Sequence, residues 1–248
     1  MTTAVFIITA LGIWEMNRLW DKMGVRTWQL GCISVGALYV FSAQWVNGLS
    51  LGVIKFAPDF NLSFILFLSI VMSITYMVAK YPAFTFIDIS VTVLTPLYTG
   101  WLLAHLVSLR ELPQGFHFVL LVLVATWSTD TFAYFVGITI GKHRLAPVLS
   151  PKKSVEGSIG GVIGSVVASV IIGYLDSHMP ITNYIIIGLL VGIVGQVGDL
   201  AESALKRMAG VKDAGTFIPG HGGILDRFDS MFLTAPIVYY YLRIINLS

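Results

Sequence analysis

Eight apolar runs divide the chain, near residues 3 to 20, 28 to 46, 62 to 79, 87 to 109, 117 to 140, 158 to 175, 182 to 205 and 228 to 246. Each predicts a transmembrane helix, because about 20 apolar residues at about 1.5 Å per residue cross the hydrocarbon of a bilayer. Stretches such as FILFLSIVMSI lack the in-and-out alternation of a barrel strand, and an unsatisfied backbone group in lipid costs several kcal/mol. The expected fold class is all-α, a polytopic membrane protein with about eight transmembrane helices. The opening MTTAVFIITALGIWEMN has neither a positively charged start nor a small-residue cleavage site, so it reads as a retained first span.

Composition agrees with that pattern. Of 248 residues, 56% are hydrophobic and 11% charged, and the mean hydropathy is +0.83. Eight spans use about 160 residues and leave connections of about ten, so a soluble enzyme is excluded and no separate soluble domain fits. A single integral-membrane catalytic unit over residues 1–248 is expected, with N-terminal helices in 1–116 and catalytic helices and loops in 117–248. Lys and Arg total 15 against 13 Asp and Glu, a balance that implies no nucleic-acid partner. The one cysteine, Cys32, excludes an internal disulfide and a cysteine zinc site.

The position of the basic residues orients the chain. Twelve of the 15 (Arg18, Lys22, Arg26, Lys80, Lys142, Arg144, Lys152, Lys153, Lys206, Arg207, Lys212 and Arg227) lie at the first, third, fifth and seventh connections. Only Lys55, Arg110 and Arg243 oppose them. Positive residues stay on the cytoplasmic side, so the odd-numbered connections should be cytoplasmic and both termini outside. Trp14, Trp20, Trp28, Trp45 and Trp101 fall near span ends, as interface anchors do. In GSIGGVIGSVVAS, Gly157, Gly160, Gly161 and Gly164 recur at spacings of three and four, a small-residue face that lets a neighbouring helix approach closely.

Candidate chemistry lies where lipid forbids charge. Asp130 stands deep in the fifth run, where an isolated carboxylate costs at least ~3 kcal/mol, so it must face protein, water or a cation. A bond to Ser128 or Thr131 is the structural alternative. In GQVGDLAESALKRMAG, Asp199, Glu202, Ser203 and Lys206 fall at i, i+3, i+4 and i+7 and share one helix face, either a site or an ordinary solvated stripe. The glycines and proline of VKDAGTFIPGHGGILDRFDS forbid a continuous helix and suit a tight loop whose backbone N–H groups can approach a phosphate. Lys212 and His221 add donors there, and Asp226 and Asp229 are expected on one face where the last helix begins. Carboxylates from several helices suit a hard cation such as Mg2+, whereas zinc is disfavoured by the oxygen-rich set. Lys142, His143, Arg144, Lys152 and Lys153 crowd the fifth connection, either as lipid-headgroup anchors or as phosphate ligands. Metal-binding carboxylates and phosphate-binding cations at one membrane surface point to phosphoryl or nucleotidyl transfer to a lipid.

The stretch Ser203 to Ser230, SALKRMAGVKDAGTFIPGHGGILDRFDS, resembles the signature of phosphatidate cytidylyltransferases (CDP-diacylglycerol synthases). Its Lys-Arg, Lys-Asp, Pro-x-His-Gly-Gly and Asp-Arg-x-Asp elements follow in order at the expected spacing. A second block, Ser128 to Gly157, is similar to the family's upstream pattern, with Ser154 and Val155 standing where Thr-Trp is common. The Trp14-Glu15 segment lies close to the start, so one span fewer than in the fullest family members is expected.

The resemblance implies transfer of a cytidylyl group from CTP to phosphatidic acid for phospholipid synthesis. It implies catalytic roles for Asp199, Lys206, Lys212, Asp226, Arg227 and Asp229. Lys142, Lys152, Lys153, Arg207, His221, Gly222 and Gly223 would bind substrate. Mg2+ would sit on Asp199, Ser203, Asp226 and Asp229, with Asp130 and Glu202 as weaker candidates and a second cation such as K+ beside it. A homodimer in a plasma or inner membrane, with catalytic loops facing the cytoplasm, is the accompanying expectation. The alternatives are a CTP-dependent lipid-alcohol kinase and a cation-coupled transporter. Transporters commonly show duplicated halves with polar residues near the midplane, and here no repeat is visible and the polar residues crowd one surface.

Overall fold

A computed structural model describes residues 1–44, 49–51, 54–56, 58–175, 177–215 and 222–245, with 49–51, 54–56 and 58–61 described by their backbone alone. His221, Trp45 and the side chain of Lys55 therefore lie outside the described residues. The apolar runs become α1 (Thr2–Lys22), α2 (Gln29–Ser42), α3 (Pro58–Lys80), α4 (Phe86–Pro96), α5 (Leu102–Arg110), α6 (Gly115–Ile140), α7 (Val155–Leu175), α8 (Ile181–Met208), a short α9 (Leu225–Phe228) and α10 (Met231–Ile244). Two small antiparallel hairpins interrupt the helices, β1 (Leu49–Leu51) with β2 (Ile54–Phe56) and β3 (Arg144–Ala146) with β4 (Ser150–Ser154).

Among the described residues, five stretches are long and apolar enough to cross a membrane: Leu62–Lys80, Phe86–Arg110, Gly115–Ile140, Val155–Leu175 and Ile181–Met208. The protein is an all-α, multi-pass membrane protein. The other three expected spans are helical at the expected places. However, α2 and α10 have 14 residues each, about 21 Å of helix against about 30 Å of hydrocarbon. Helix α1 carries Glu15 and Asn17 among its buried residues. The fourth run is not one regular helix. Pro96 supplies no backbone N–H, and the chain passes from α4 into α5 through a π-helical turn at Leu97–Trp101.

The chain forms two compact units, one of residues 1–111 with 208–226 and the other of residues 112–207 with 227–248. In the first, α1, α2, α4 and α5 pack around Ile13, Leu19, Cys32, Val40, Leu103 and Leu109, all at most 1% exposed. Gly100 in the π-helical turn lies so close to α2 that a Cβ would stand 2.9 Å from the Cα of Gly36. Long-range polar bonds tie this unit together: the Trp20 indole donates to Thr95 Oγ1 at 3.0 Å, and the Arg26 N–H donates to Asp88 Oδ1 at 2.8 Å. Asp88 also closes a capping box with Thr85 at the start of α4.

The second unit is organised by glycine. On α7, a Cβ at Gly161 would lie 2.8 Å from the Thr129 carbonyl oxygen of α6, and one at Gly160 would meet Val136. Gly188 and Gly192 of α8 similarly approach the backbone of Val166 and Val162 on α7. The small-residue face is a packing face, as its spacing predicts. Buried polar pairs complete the unit: His117 Nε2 and the Tyr184 hydroxyl at 2.9 Å, Thr126 and Thr234 hydroxyls at 3.2 Å, and the Tyr241 hydroxyl donating to Asn183 at 2.8 Å.

Gly161→Val should destabilise the second unit by about 1–3 kcal/mol, the usual cost of forcing extra methyls into a packed contact. Thermal unfolding in detergent should show a lower Tm than for Ile163→Ala, whose parent side chain is 56% exposed. Equal Tm values for the two variants would contradict this packing.

Candidate active site

In the second unit, α6, α7, α8 and the β3–β4 hairpin enclose a cavity of about 310 Å³. Its charged lining is Asp130 from α6, Lys152 and Lys153 from β4, and Asp199 from α8. Close packing produces this convergence: Gly137 and Gly157 on its wall bring α6 and α7 together, since a Cβ on Gly157 would stand 3.1 Å from the Gly137 Cα. Lys153 Nζ is ion-paired with Asp199, and each side chain is about a quarter exposed. Asp130 lines the cavity, and among the described residues neither Ser128 nor Thr131 bonds its side chain. Asp229 lies in the turn ahead of α10, outside the spans. Burial, and then the Asp199 carboxylate, push its pKa up to about 7, with the Ser230 N–H opposing them.

Among the described residues, no three His, Cys, Asp or Glu side chains converge tightly enough to hold a metal by themselves. The second unit instead offers mutually repelling carboxylates beside an open cavity. That donor set fits a hard cation whose coordination is completed by phosphate oxygens and water. Ser203 extends the set, its hydroxyl donating to Asp199 Oδ1 at 3.4 Å.

The charged stripe on α8 is helical as expected, but it faces protein. Glu202 is 1% exposed and forms an ion pair with Lys206 at 2.5 Å. A buried pair one helical turn apart locks the end of α8 and is no solvated decoration. Arg207 donates through Nε to the Leu149 carbonyl at 3.3 Å, tying α8 to the β3–β4 turn. Lys142 is exposed and its N–H donates to Glu156 Oε2 at 3.1 Å. Glu156 also accepts the His143 N–H and pairs with His143 Nδ1 at 2.6 Å, so one carboxylate fastens the chain where it enters the hairpin. At the other end the Ser154 hydroxyl accepts the Gly157 N–H at 3.1 Å and caps α7. Serine thus makes the cap bond that threonine would make at this position.

The remaining predicted residues stand on the loop before α10. Asp226 and Asp229 do not share a continuous helix: Asp226 is in α9, Asp229 is in the following turn, and α10 begins only at Met231. Arg227 is exposed on α9. Within the first unit, Asp226 Oδ2 accepts the N–H of Gly223 at 2.7 Å and of Ala214 at 3.1 Å. Gly222 adopts a φ of +83°, which favours glycine. The Gly223, Ile224 and Leu225 N–H groups are all donated to carboxylates of the chain itself.

Glu15 is the residue whose part in this loop the sequence reading misses. Its side chain is fully buried, accepting the Ile224 N–H at 3.0 Å and the Leu225 N–H at 2.9 Å, and a Cβ on Gly215 or Gly223 would strike it. The available signal was an acid inside the first apolar run. Gln196 was missed as well. It lines the cavity one turn before Asp199 and donates to the Ser158 and Gly192 carbonyls at 3.1 and 2.7 Å.

The pattern described as the Cytidylyltransferase family matches residues 1–245. The chain belongs to that family. It is 40% identical over 181 residues to a phosphatidate cytidylyltransferase of Bacillus subtilis, covering 72% of this chain and 67% of the relative. It is 38% identical over 198 residues to one of Staphylococcus saprophyticus, covering 79% and 71%, and 35% identical over 209 residues to one of Staphylococcus epidermidis, covering 84% and 77%.

Glu15→Ala should leave two buried N–H groups without their acceptor, a loss of about 1–3 kcal/mol for each group left unmet. The variant should unfold at lower temperature and be cut faster within residues 211–225 by a non-specific protease. Unchanged Tm and proteolysis would remove Glu15 from this role.

Proposed function

We propose that this chain transfers the cytidylyl group of CTP to phosphatidic acid, giving CDP-diacylglycerol and pyrophosphate. Family membership and the names of the relatives support the reaction. The observation that carries the site is the cavity in which Lys153 pairs with Asp199 beside Asp130 and Lys152.

The chemistry asks little of a general base. A phosphatidate oxygen is already anionic; it attacks the α-phosphorus of CTP, a new P–O bond forms, and the bond to the bridging oxygen of the β-phosphate breaks as pyrophosphate leaves. Catalysis then rests on alignment and on neutralising charge. Mg2+, when bound, would draw charge from the reacting phosphates. In this reading Asp199, Ser203 and Asp229 of the second unit would hold it, with Asp130 in support. Lys153 neutralises Asp199 and, on the same cavity wall, would offer its charge to a substrate phosphate. Lys152 adds positive charge to the wall of the same cavity. The catalytic helices and loops lie within residues 117–248, with the helices of 1–116 holding Glu15 and its loop in place.

The activity test uses purified protein with CTP, phosphatidate and a divalent cation. Pyrophosphate and CDP-diacylglycerol should form together, whereas release of CDP would indicate a lipid kinase instead. Asp199→Asn and Asp229→Asn should each lower kcat/KM at least about tenfold, the loss of about 1.4 kcal/mol or more of transition-state stabilisation. Near-normal metal-dependent rates in both would move the chemistry elsewhere.

The same reading places the β3–β4 hairpin in the cytoplasm, with the lipid phosphate and CTP. Val148 at its tip is 83% exposed, and Glu111, which follows α5 and precedes α6 by four residues, is exposed as well. In a Cys32→Ser background, cysteines at these two positions should be labelled by a membrane-impermeant maleimide from opposite faces of sealed vesicles, with Val148→Cys on the cytoplasmic face. Labelling of both from one face would contradict the crossing of α6.

A further inference from the structure

The first unit contains a second charged concavity, of about 330 Å³, lined by Arg18, Leu19 and Lys22 of α1 and by residues 211–215. Arg18 and Lys22 are one helical turn apart on α1, and Lys212 comes from a segment far away in sequence. One carboxylate, Asp213, shares the wall, so cations outnumber acids there three to one. Among the described residues none of these three cations is ion-paired. Arg18 is held over the Trp14 ring, with its guanidinium carbon 4.8 Å from the centroid.

Topology alone asks for basic residues near a membrane surface; it does not ask that they converge on one hollow. Here the convergence is built. Asp226 fixes the segment through the Ala214 N–H, next to the cavity wall, and through the Gly223 N–H, while Glu15, one turn before Arg18, takes the Ile224 and Leu225 N–H groups. The Ala214, Gly223, Ile224 and Leu225 N–H groups are thus donated to the chain's own carboxylates, and Lys212 lines the hollow with Arg18 and Lys22. The volume is at the lower end of small-ligand pockets, roughly 300–1,000 Å³, enough for a phosphate or diphosphate group.

We propose that Arg18, Lys22 and Lys212 form a phosphate-binding subsite, one that takes a phosphate group of a substrate or product of the transferase. Its existence rests on the geometry of the first unit, and only the identity of the phosphate rests on the function proposed above. A planar guanidinium held by an indole and two mobile ammonium groups are suited to a multiply charged phosphate, because Arg can donate two bonds at once and Lys adds charge. Two sources share that chemistry, the polyphosphate of CTP or pyrophosphate and the headgroup of phosphatidate, and experiment distinguishes them.

Binding is measured without turnover on the full chain in phosphatidylcholine nanodiscs, in one arm with pyrophosphate and with CTP, in the other with increasing phosphatidate in the lipid. Arg18→Gln/Lys22→Gln should weaken binding at least about tenfold in one arm, and that arm names the source. Lys22→Gln alone, at an exposed position, should show part of the loss and keeps the test readable if the double variant misfolds. Arg18→Lys, which keeps the charge and loses the two-bond fork, should weaken binding less than Arg18→Gln/Lys22→Gln does. Lys80→Gln, which removes a basic residue outside this cavity, should change neither arm. Losses below about threefold for the double variant in both arms, or an equal loss in Lys80→Gln, would overturn the subsite. Wild-type protein that binds these probes yet forms no CDP-diacylglycerol would refute the proposed reaction and leave the subsite supported.

Discussion

A carboxylate in a chain this apolar has to be matched by the chain itself, because the surrounding lipid offers neither hydrogen bonds nor counterions. Much of the local structure follows from how each acid meets that demand. Glu15 takes two backbone N–H groups, Asp88 takes a helix N-terminus and the Arg26 N–H, Glu156 takes the turn at His143, and Glu202 takes Lys206. Each bond also fixes an element: a loop to α1, the entry of α4, the entry of the β3–β4 hairpin, the end of α8. Asp199 differs. Its partner Lys153 comes from a hairpin strand on the cavity wall, and Asp130 and Asp229 add charge of the same sign nearby. A site with surplus negative charge and a displaceable cation is one in which a metal and a phosphate can replace an internal ion pair.

Glycine supplies the distances. Carboxylates on α6 and α8 reach one cavity because Gly157, Gly160 and Gly161 remove side chains from the α6–α7 contact, and Gly188 and Gly192 do the same between α7 and α8. Larger residues would separate the helices and widen the space between Asp130 and Asp199. Packing and chemistry therefore share positions, and the small-residue face that holds the helices together also sets the spacing of the charges.

The helical runs were legible because lipid imposes a single strong rule, and all eight appear as helices near the expected places. The α8 stripe was legible as a helix face, though not as a buried one, since i, i+3, i+4 spacing says which residues share a side and not what covers it. The break at Pro96 had a local signal, but the π-helical turn depends on Gly100 meeting Gly36, a contact between distant segments. The same limit explains Glu15 and Asp226. Their partners are backbone N–H groups, invisible in a residue list, and for Glu15 they lie 209 and 210 positions away. The division of the last segment into α9, a turn and α10 likewise follows from bonds of Asp226 and Asp229 to backbone, which three-residue spacing does not encode.

Tyr134 and Ile138 line the second-unit cavity and are 63% and 62% exposed on α6, a helix long and apolar enough to cross a membrane. Under the proposed reaction, a cavity bordered in this way would admit a headgroup while the acyl chains stay among other acyl chains. Pulling a chain into water would cost about 0.8 kcal/mol per CH₂, so for two long chains a route through solvent is closed on energetic grounds. The enzyme therefore samples its lipid in two dimensions. What sets its occupancy is the mole fraction in the leaflet rather than any concentration in solution, and diluting that lipid with inert phospholipid should slow the protein even when the total amount in the tube is unchanged.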